Sequence, residues 1–408
     1  MPILVMIKEW QISNKDDVII MGGKEMKEIR IGIIGTGIIA QQHLNNYAEI
    51  PGVKVVAACD IDADKLQKTC REFNIENSYQ DYREMLKRDD LDAVDVCLHN
   101  NLHAPISIDV MKSGKHCYCE KPMAGSYADA KAMYDAAREL NKKLHIQLAF
   151  LYGGTAYAAK KLIDNGHIGK IYHARSCGFR RRGRPFVDGY ANKEFDSKYW
   201  ASGGALYDMG VYHISQILYL IGLPKLERVT GKVYQEVEMD DKRRTISGFD
   251  VEELGVGFAR FENGLTIDIV ESWAIHMDKF ESSYIVGDKG GVRLDPLSFH
   301  TNLDDMTMNA SFETGGDQYR YHQLNPELEA FDSSQKHWIY ALRNEVEMID
   351  TGKIALDTML ISEGIYLSSK LGREVTVDEI INMSESAALK TQDTPFGQLV
   401  YTPYPFYK

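Results

Sequence analysis

Short apolar stretches alternate with segments of helical hydrophobic spacing over roughly the first 150 residues of the chain. The apolar stretches lack the polar alternation of a strand with one solvated face, which indicates strands buried on both sides. Buried strands separated by helices are typical of a doubly wound parallel sheet, the α/β Rossmann arrangement. The pattern predicts strands at residues 31–34, 53–59, 93–98, 116–119 and 144–148, and helices at 41–50, 62–73, 104–113 and 127–140.

Beyond residue 150 the pattern changes to longer alternating segments with turn residues between them. Consecutive strands without intervening helices predict an α+β domain built on an antiparallel sheet. Residues 296–328 are rich in Asn, Asp, Thr and Met and are predicted to be a long irregular excursion. The predicted strands are 171–179, 226–238, 252–261, 265–273 and 283–294, and the predicted helices are 156–165, 203–221, 331–344 and 355–371.

The length of 408 residues exceeds the size at which a single hydrophobic core stops growing, so two domains are expected. The patterns place a Rossmann dinucleotide-binding domain at residues 29–150 and an α+β substrate-binding and oligomerisation domain at residues 151–385. Residues 1–28 form an N-terminal extension and residues 386–408 a C-terminal tail.

Composition and charge exclude several classes of partner. The 47 basic and 59 acidic side chains give a net charge of −12, which disfavours binding to nucleic acid or to anionic membrane surfaces. No apolar run is long enough to span a bilayer, and a cytoplasmic location is expected. The six cysteines occur at neither disulfide nor metal-ligand spacings, so we expect reduced thiols in the core and no metal site.

The segment Gly35-Thr36-Gly37-Ile38-Ile39-Ala40 has the form G-x-G-x-x-A between a predicted strand and a predicted helix. Glycines there let the backbone approach a pyrophosphate at the helix N-terminus. Asp60 ends the next strand, where a carboxylate accepts hydrogen bonds from an adenosine ribose and repels a 2′-phosphate. NAD is therefore predicted over NADP; the alternative is a glycine turn with a solvated aspartate.

Several further motifs, in this order and spacing, resemble those of the Gfo/Idh/MocA family of oxidoreductases. They are Gly35 to Ala40, His103-Ala104-Pro105, Gly114-Lys115-His116, Glu120-Lys121-Pro122, residues 162–169, and Gly203-Gly204-Ala205-Leu206 with Asp208 and Gly210. The resemblance implies a Rossmann domain followed by an open-faced antiparallel sheet, whose exposed face mediates homodimers or homotetramers. It also implies a catalytic lysine, carried here onto Lys121, with Glu120 orienting it.

The chain departs from the family's common D-x-G-x-H pattern, because Tyr212 stands four residues after Asp208 and His213 follows it. On one predicted helix, spacing of four places Asp208 and Tyr212 on the same face. Tyr212 is then the acid/base, with its pKa lowered by Lys121, and Asp208 binds a substrate hydroxyl. His213 is either a helix-packing residue or a substrate contact.

A second departure places Leu98-His99-Asn100 where the family often has T-P-N, so His99 either touches cofactor or substrate or has a capping or core role. The expected cofactor-binding residues are Gly35, Thr36, Gly37, Ile38, Ile39, Asp60, Leu98, His99, Asn100, His103, Glu120 and Lys121.

Four arginines occur within residues 180–184, either as a solvated strand end or as contacts from Arg180 and Arg182 to a substrate or a neighbouring subunit. Tyr199, Trp200 and Trp273 either stack on a sugar face or pack in the core.

These features predict an NAD-dependent oxidoreductase that transfers hydride between the nicotinamide and a secondary alcohol of a sugar, glycoside or cyclitol. The alternative is a glycoside-cleaving enzyme that oxidises C3 transiently, eliminates the anomeric substituent and regenerates NAD. A catalytically silent NAD-binding sensor is less favoured, since a sensor has no need of Lys121, Asp208 and Tyr212 together.

Overall fold

The computed structural model describes the backbone of residues 11–12, 18–21 and 24–401, and the side chains of residues 26–316 and 319–401. Most of the predicted N-terminal extension and the last residues of the C-terminal tail, 402–408, therefore lie outside the described residues.

The elements are numbered in chain order within this described part. The strands are β1 (Gln11–Ile12), β2 (Val18–Met21), β3 (Lys24–Lys27), β4 (Ile29–Ile34), β5 (Val53–Cys59), β6 (Asn77–Tyr79), β7 (Ala93–Val96), β8 (His116–Cys119), β9 (Leu144–Ile146), β10 (Ile171–Phe179), β11 (Leu226–Tyr234), β12 (Leu254–Phe261), β13 (Thr266–Ser272), β14 (Tyr284–Gly287), β15 (Gly291–Leu294), β16 (Leu297–Leu303), β17 (Met306–Ser311), β18 (Val375–Thr376), β19 (Thr391–Thr394) and β20 (Gly397–Val400).

The helices are α1 (Ile38–Ala48), α2 (Ala63–Glu72), α3 (Tyr82–Leu86), α4 (Asn100–Lys112), α5 (Tyr127–Glu139), α6 (Gly153–Asp164), α7 (Lys198–Ala201), α8 (Ala205–Asp208), α9 (Gly210–Ile221), α10 (Asp241–Ser247), α11 (Thr314–Leu324), α12 (Ser334–Leu342), α13 (Thr351–Leu371) and α14 (Val377–Met383). Turns of 3₁₀ helix lie at Ala149–Leu151, Lys193–Asp196 and Pro326–Phe331.

A parallel sheet carries the first half of the chain, as predicted. Six of the described strands form it in the order β6-β5-β4-β7-β8-β9, and every neighbouring pair is parallel. Because the strands are parallel, the turns after β4, β5, β7 and β8 open at one edge of the sheet. This edge brings together the glycine turn, Asp60, His99 and Lys121.

The second sheet is larger than predicted and is not purely antiparallel. Nine of the described strands form it in the order β17-β16-β15-β14-β10-β13-β12-β11-β18, and the central pair β10 and β13 is parallel. The prediction of an irregular excursion at 296–328 was wrong, because β16 and β17 form a hairpin there and α11 follows. The hairpin lies at one end of the sheet, with β17 as the edge strand. Met306-Thr307-Met308-Asn309 alternates apolar and polar residues as a half-solvated strand does, so the richness in Asn, Asp, Thr and Met was not a sign of irregular structure.

Helices α9 and α13 cover the inner face of this sheet. Glycines let α13 approach closely, since an added Cβ at Gly231 would lie 2.8 Å from Ile365 and one at Gly257 would lie 2.5 Å from it. On the outer face of the sheet, Asp268 pairs with His173 at 3.1 Å and with Arg175 at 2.7 Å. Apolar side chains share that face with this charged group.

The core residues confirm the expectation that the cysteines are buried free thiols. All six cysteines lie in the described part of the chain, where they are buried and free. None of the helices built from the described residues has both the length and the apolar character needed to cross a bilayer. The predicted helix 203–221, in contrast, is interrupted at Met209 into α8 and α9.

Candidate functional site

A cleft of about 650 Å³ lies at the carboxyl edge of the parallel sheet. Its floor is the glycine turn before α1, where Gly35 has a φ of +90° and Gly37 faces open space. No side chain caps the N-terminus of α1, so its first N–H groups remain available to an anionic ligand. The volume and this N-terminus fit a dinucleotide with its pyrophosphate on α1.

Asp60 stands on the rim of this cleft, and the backbone holds its carboxylate in place. Its Oδ2 accepts hydrogen bonds from the Thr36 N–H at 2.7 Å and the Thr36 hydroxyl at 2.9 Å, while Oδ1 accepts from the Asp62 N–H at 2.9 Å. A fixed negative charge at this point favours a ribose with free hydroxyls over a phosphorylated one.

Aromatic rings close the opposite end of the cleft. His99 precedes α4 and lies 5.4 Å from the Trp200 ring and 6.0 Å from the Phe195 ring, centroid to centroid. Burial lowers the pKa of His99, so the imidazole is neutral. Trp200 lines the cleft. Tyr199 beside it is mostly exposed.

Two other residues expected at the cofactor have partners within the protein. Asn100 donates through Nδ2 to the carbonyl of Ala201 at 2.8 Å. His103 is fully buried, with Nδ1 2.7 Å from the carbonyl oxygen of Pro122 and Nε2 3.0 Å from that of Leu98. The contacts of His103 hold the two loops that border the cleft together.

Lys121 follows β8 and extends towards α8 and α9. Its Nζ lies 2.7 Å from Asp208 Oδ1 and 4.6 Å from the centroid of the Tyr212 ring. Burial alone would lower the pKa of Lys121, but the negative charges of Asp208 and Glu120 outweigh it and the pKa is raised. The lysine is therefore a protonated donor.

Asp208 is held from both sides. Its Oδ2 accepts a hydrogen bond from Trp273 Nε1 at 2.8 Å, and its pKa is lowered because the Lys121 charge outweighs burial. Trp273 is 1% exposed, so it is a core residue that fixes Asp208 and not a surface for stacking on a sugar.

Tyr212 reaches Lys121 as the spacing predicted, although α8 and α9 are separate helices. Burial raises the pKa of Tyr212 and, together with Glu120 and Asp208, outweighs the lowering by Lys121, so the pKa is raised overall and not lowered as expected. A neutral phenol is the resting form. The half-exposed ring of Phe150 stacks on Tyr212 with centroids 5.0 Å apart.

His213 faces the sheet. Its Nδ1 lies 3.0 Å from Glu271 Oε2, and the Glu271 charge raises the pKa of His213 against the opposing effect of burial. Glu271 is fully buried and also accepts a hydrogen bond from Ser176. Among the described contacts, none joins His213 to Lys121 or Asp208. Lys121, Asp208 and Tyr212 therefore form a group without His213, which we call the lysine cluster.

A second charged group lies behind Lys121. Glu120 accepts the Lys121 N–H through Oε2 at 2.9 Å, and its Oε1 lies 2.8 Å from His43 Nε2. His43 Nδ1 lies 2.8 Å from Asp95 Oδ2, which also accepts the Tyr47 hydroxyl at 2.9 Å. Contacts with Cys97 and Asp95 raise the pKa of His43 although burial opposes it, so a charged imidazole joins the two carboxylates.

The arginine run is mainly structural. Arg184 is buried between Asp188 and Glu253, with nitrogen-to-oxygen distances of 2.9 Å to each, and Arg182 pairs with Asp188 at 3.1 Å. Arg180 differs, because its Nη1 donates to the Tyr190 hydroxyl and its charge helps to lower the pKa of Asp208.

Residues that the sequence did not single out complete the walls. Phe195 lines the cleft, whereas Phe150 stacks on Tyr212 and the buried His43 contacts Glu120; at all three positions an apolar or helical pattern indicates only core packing. The C-terminal tail is the larger omission, because Gln392, Asp393, Leu399 and Tyr401 line the cleft. No motif marks them, since only the fold returns the tail to the first domain.

Family models match both halves of the chain. Residues 29–148 match the "Oxidoreductase family, NAD-binding Rossmann fold", and residues 157–293 match the "GFO/IDH/MocA C-terminal domain". The chain belongs to the GFO/IDH/MocA family. Its cofactor is NAD, as the glycine turn and Asp60 predict.

Relatives with assigned activities extend this comparison. The chain is 27% identical over 282 residues to D-glucoside 3-dehydrogenase of Escherichia coli (strain K12), covering 67% of this chain and 79% of that protein. It is 25% identical over 357 residues to myo-inositol 2-dehydrogenase of Thermotoga maritima, covering 86% and 100%. Levoglucosan dehydrogenase in complex with NADH and levoglucosan superposes with a TM-score of 0.72 at 22% identity, over 86% of this chain and 99% of that structure.

Proposed function

We propose that this GFO/IDH/MocA protein is an NAD-dependent dehydrogenase that oxidises a secondary alcohol of a sugar, glycoside or cyclitol, or reduces the corresponding ketone. The observation that carries the proposal is the Lys121 ammonium, which lies between Asp208 and the Tyr212 ring at the carboxyl edge of the Rossmann sheet. The similarity to glucoside, inositol and levoglucosan dehydrogenases supports the substrate class.

The cofactor would be held by the turn at Gly35 and Gly37, the N-terminus of α1 and Asp60. When bound, NAD supplies the acceptor for hydride. Lys121 is protonated, so it donates a hydrogen bond to the reacting hydroxyl and stabilises alkoxide character on that oxygen. Asp208, fixed by Trp273, keeps the Lys121 ammonium in place and offers its remaining acceptor positions to a neighbouring ring hydroxyl.

Tyr212 is proposed to carry the proton. In oxidation its phenolate takes the proton of the substrate hydroxyl, and in reduction the neutral phenol returns one to the ketone oxygen. Because the pKa of Tyr212 is raised, the neutral form dominates near neutrality. Reduction therefore begins from the resting state, whereas oxidation becomes faster as pH rises.

Two alternatives are weaker. The relatives above are named as dehydrogenases, which favours net oxidation over cleavage of a glycoside through a transient ketone. The Lys121–Asp208 pair is partly exposed and lies beside the Tyr212 phenol, an arrangement that a sensor does not need.

Three further parts of the proposal concern the whole protein. We infer a homodimer or homotetramer formed through the outer face of the second sheet, where Val256, Phe258 and Val270 are only partly buried. The free, buried cysteines support a reducing, cytoplasmic location. The division at residues 28/29, 150/151 and 385/386 into an extension, two domains and a tail is part of the same proposal.

The test is a panel of inositols, hexoses and aryl glycosides incubated with purified protein and NAD. NADH is followed by absorbance, and released aglycone is measured in the same samples. We expect stoichiometric NADH with at least one sugar or cyclitol and no aglycone release. Aglycone without net NADH would instead establish the cleaving reaction, and NAD binding without turnover across the panel would point to a sensor.

A further inference from the structure

The chain after α14 returns to the Rossmann domain. Asp129 on α5 accepts hydrogen bonds from the Ser386 hydroxyl at 2.7 Å and from the Ala387 N–H at 2.8 Å. The Leu389 N–H then donates to the carbonyl of Asn101 on α4 at 3.0 Å. These bonds bring the β19–β20 hairpin to the side of the cleft that carries Asp60.

The hairpin is attached through its inner side. Leu399 and Tyr401 are each 4% exposed, and the Tyr401 ring stacks on Tyr82 with centroids 6.5 Å apart. The outward-facing Val400 between them is 59% exposed. The burial of one side only indicates that the hairpin is packed against the first domain at a defined register.

Residues of the hairpin form part of the cleft wall. Gln392, Asp393, Leu399 and Tyr401 line the same 650 Å³ space as Asp60. Others that share this end of the space are Ile61, Asp62, Lys65, Gln80 and Tyr82. Since Asp60 marks the position of the adenosine ribose in this fold, the hairpin faces the adenosine half of a dinucleotide.

The chemistry of this wall suits a purine nucleoside. Leu399 and Tyr401 offer apolar area to a flat base, and such contacts do not depend on charge. Gln392 accepts the Tyr401 hydroxyl through Oε1 at 2.6 Å, and its Nε2 has no acceptor among the described residues. That amide nitrogen is therefore available to a ring nitrogen of adenine.

Asp393 adds a second carboxylate to the wall that contains Asp60. It accepts a hydrogen bond from Gln398 at 3.0 Å, which fixes the side chain without neutralising it. A second negative charge near the ribose would add to the repulsion of a 2′-phosphate.

We propose that the C-terminal hairpin, residues 386–401, is a cofactor-binding element that encloses the adenosine moiety of NAD. Gln392 and Leu399 contact the base, and Asp393 reinforces discrimination against a 2′-phosphate. The inference rests on the proposed function, because it assumes that NAD occupies the cleft.

The experiment uses the two halves of the cofactor as separate probes. Dissociation constants of ADP-ribose and of nicotinamide mononucleotide are measured by calorimetry for the full chain and for Gln392→Ala, Leu399→Ala and Val400→Ala. We expect Leu399→Ala to weaken ADP-ribose binding by about tenfold and Gln392→Ala by about fivefold, as lost apolar area and a lost hydrogen bond imply. Nicotinamide mononucleotide should bind all variants within about twofold, and Val400→Ala should match the parent for both probes.

Unchanged ADP-ribose binding in both Gln392→Ala and Leu399→Ala would overturn the proposal. An equal loss for both probes would also overturn it, because it would show a general structural role. If the parent protein binds neither ADP-ribose nor NAD, the proposed function itself fails and the hairpin's role fails with it. As a further readout, Asp393→Asn should strengthen binding of 2′-phospho-ADP-ribose by about threefold while leaving ADP-ribose unchanged.

Discussion

Two charged clusters meet at the junction of Glu120 and Lys121, and they differ in exposure. In the lysine cluster, Lys121 contacts Asp208 and Tyr212, and the side chains of Lys121 and Asp208 are 12% and 22% exposed. In the sealed cluster, His43 joins Asp95 and Glu120 with 0% of its own side chain and of Asp95 exposed. Each places a cation against carboxylates, yet only the first opens into a pocket, which Lys121, Phe195 and Asp208 line.

This difference in exposure assigns catalysis to the first cluster and structural support to the second. A buried ion pair with every partner satisfied stabilises one arrangement, and removing one member leaves an uncompensated charge. The lysine cluster also pairs a cation with carboxylates, but it retains donor and acceptor capacity on its open side. Substitutions in the lysine cluster should therefore reduce turnover, and substitutions in the sealed cluster should mainly reduce stability.

The largest expected effect is that of Lys121→Ala. Loss of the ammonium removes the donor to the developing alkoxide, so kcat should fall by about 10³-fold or more. NAD binding, measured by fluorescence titration, should change by less than about threefold because the glycine turn and Asp60 are untouched. Lys121→Arg keeps the charge and should recover part of the rate; a Lys121→Ala enzyme with near-parental kcat would remove the lysine from the mechanism.

The second largest effect is expected of Tyr212→Phe, which removes the proposed proton carrier and should lower kcat by about 10²–10⁴-fold. Because the base acts when ionised and its pKa is raised, log(kcat/KM) for oxidation in the parent should rise by about one per pH unit between about pH 7 and 9. Tyr219→Phe on the same helix is the matched control and should leave kcat and this slope unchanged.

His213→Asn should mainly raise KM if the imidazole only contacts substrate. A nearly inactive His213→Asn variant together with an active Tyr212→Phe variant would assign the role of proton carrier to His213. The parent profile would then level off at a lower pH than a phenol base would give, since the pKa of His213, although raised, starts from that of an imidazole.

His43→Asn tests the sealed cluster. Removing the buried imidazole leaves Asp95 and Glu120 without their shared cation, so the free energy of unfolding should fall by about 3–5 kcal/mol. The effect should be read in urea unfolding, with Gln42→Ala on the exposed side of α1 as a control that stays near the parent. A His43→Asn protein of unchanged stability would contradict the assignment of this cluster to support.

The smallest effect concerns Asp60, which lies outside both clusters. The parent should bind NAD at least about tenfold more tightly than NADP, and Asp60→Ala should narrow that gap because repulsion and ribose hydrogen bonds are lost together. Asp64→Ala, an exposed carboxylate on α2, should preserve the ratio. Equal affinities in the parent would refute the role of Asp60.

Much of the first domain was predictable because its signals are local. The glycine turn, Asp60 and Glu120-Lys121-Pro122 each follow a buried strand, and parallel strands bring their carboxyl ends to one edge. Family resemblance supplied the expectation that Asp208 and Tyr212 meet Lys121, and the structure brings those three together.

The remaining features depend on tertiary packing. The β16–β17 hairpin pairs at one end of the sheet, where its many exposed polar residues resemble those of a loop. The pKa of Tyr212 follows from burial and from carboxylates on two other elements, which spacing along one helix does not reveal. His43 contacts Glu120, which is 77 residues away in the sequence. Tyr401 stacks on Tyr82, although no motif marks the C-terminal tail that carries it.

Direct hydride transfer is tested by running the oxidation of an active sugar in D₂O and analysing the NADH by mass spectrometry. Hydride from a carbon–hydrogen bond does not exchange with solvent, whereas the proton taken by Tyr212 does. The predicted product is NADH without deuterium at the nicotinamide ring. NADH carrying solvent deuterium at that ring, or no NADH with any sugar or cyclitol, would contradict transfer from the substrate carbon at the Lys121 cluster.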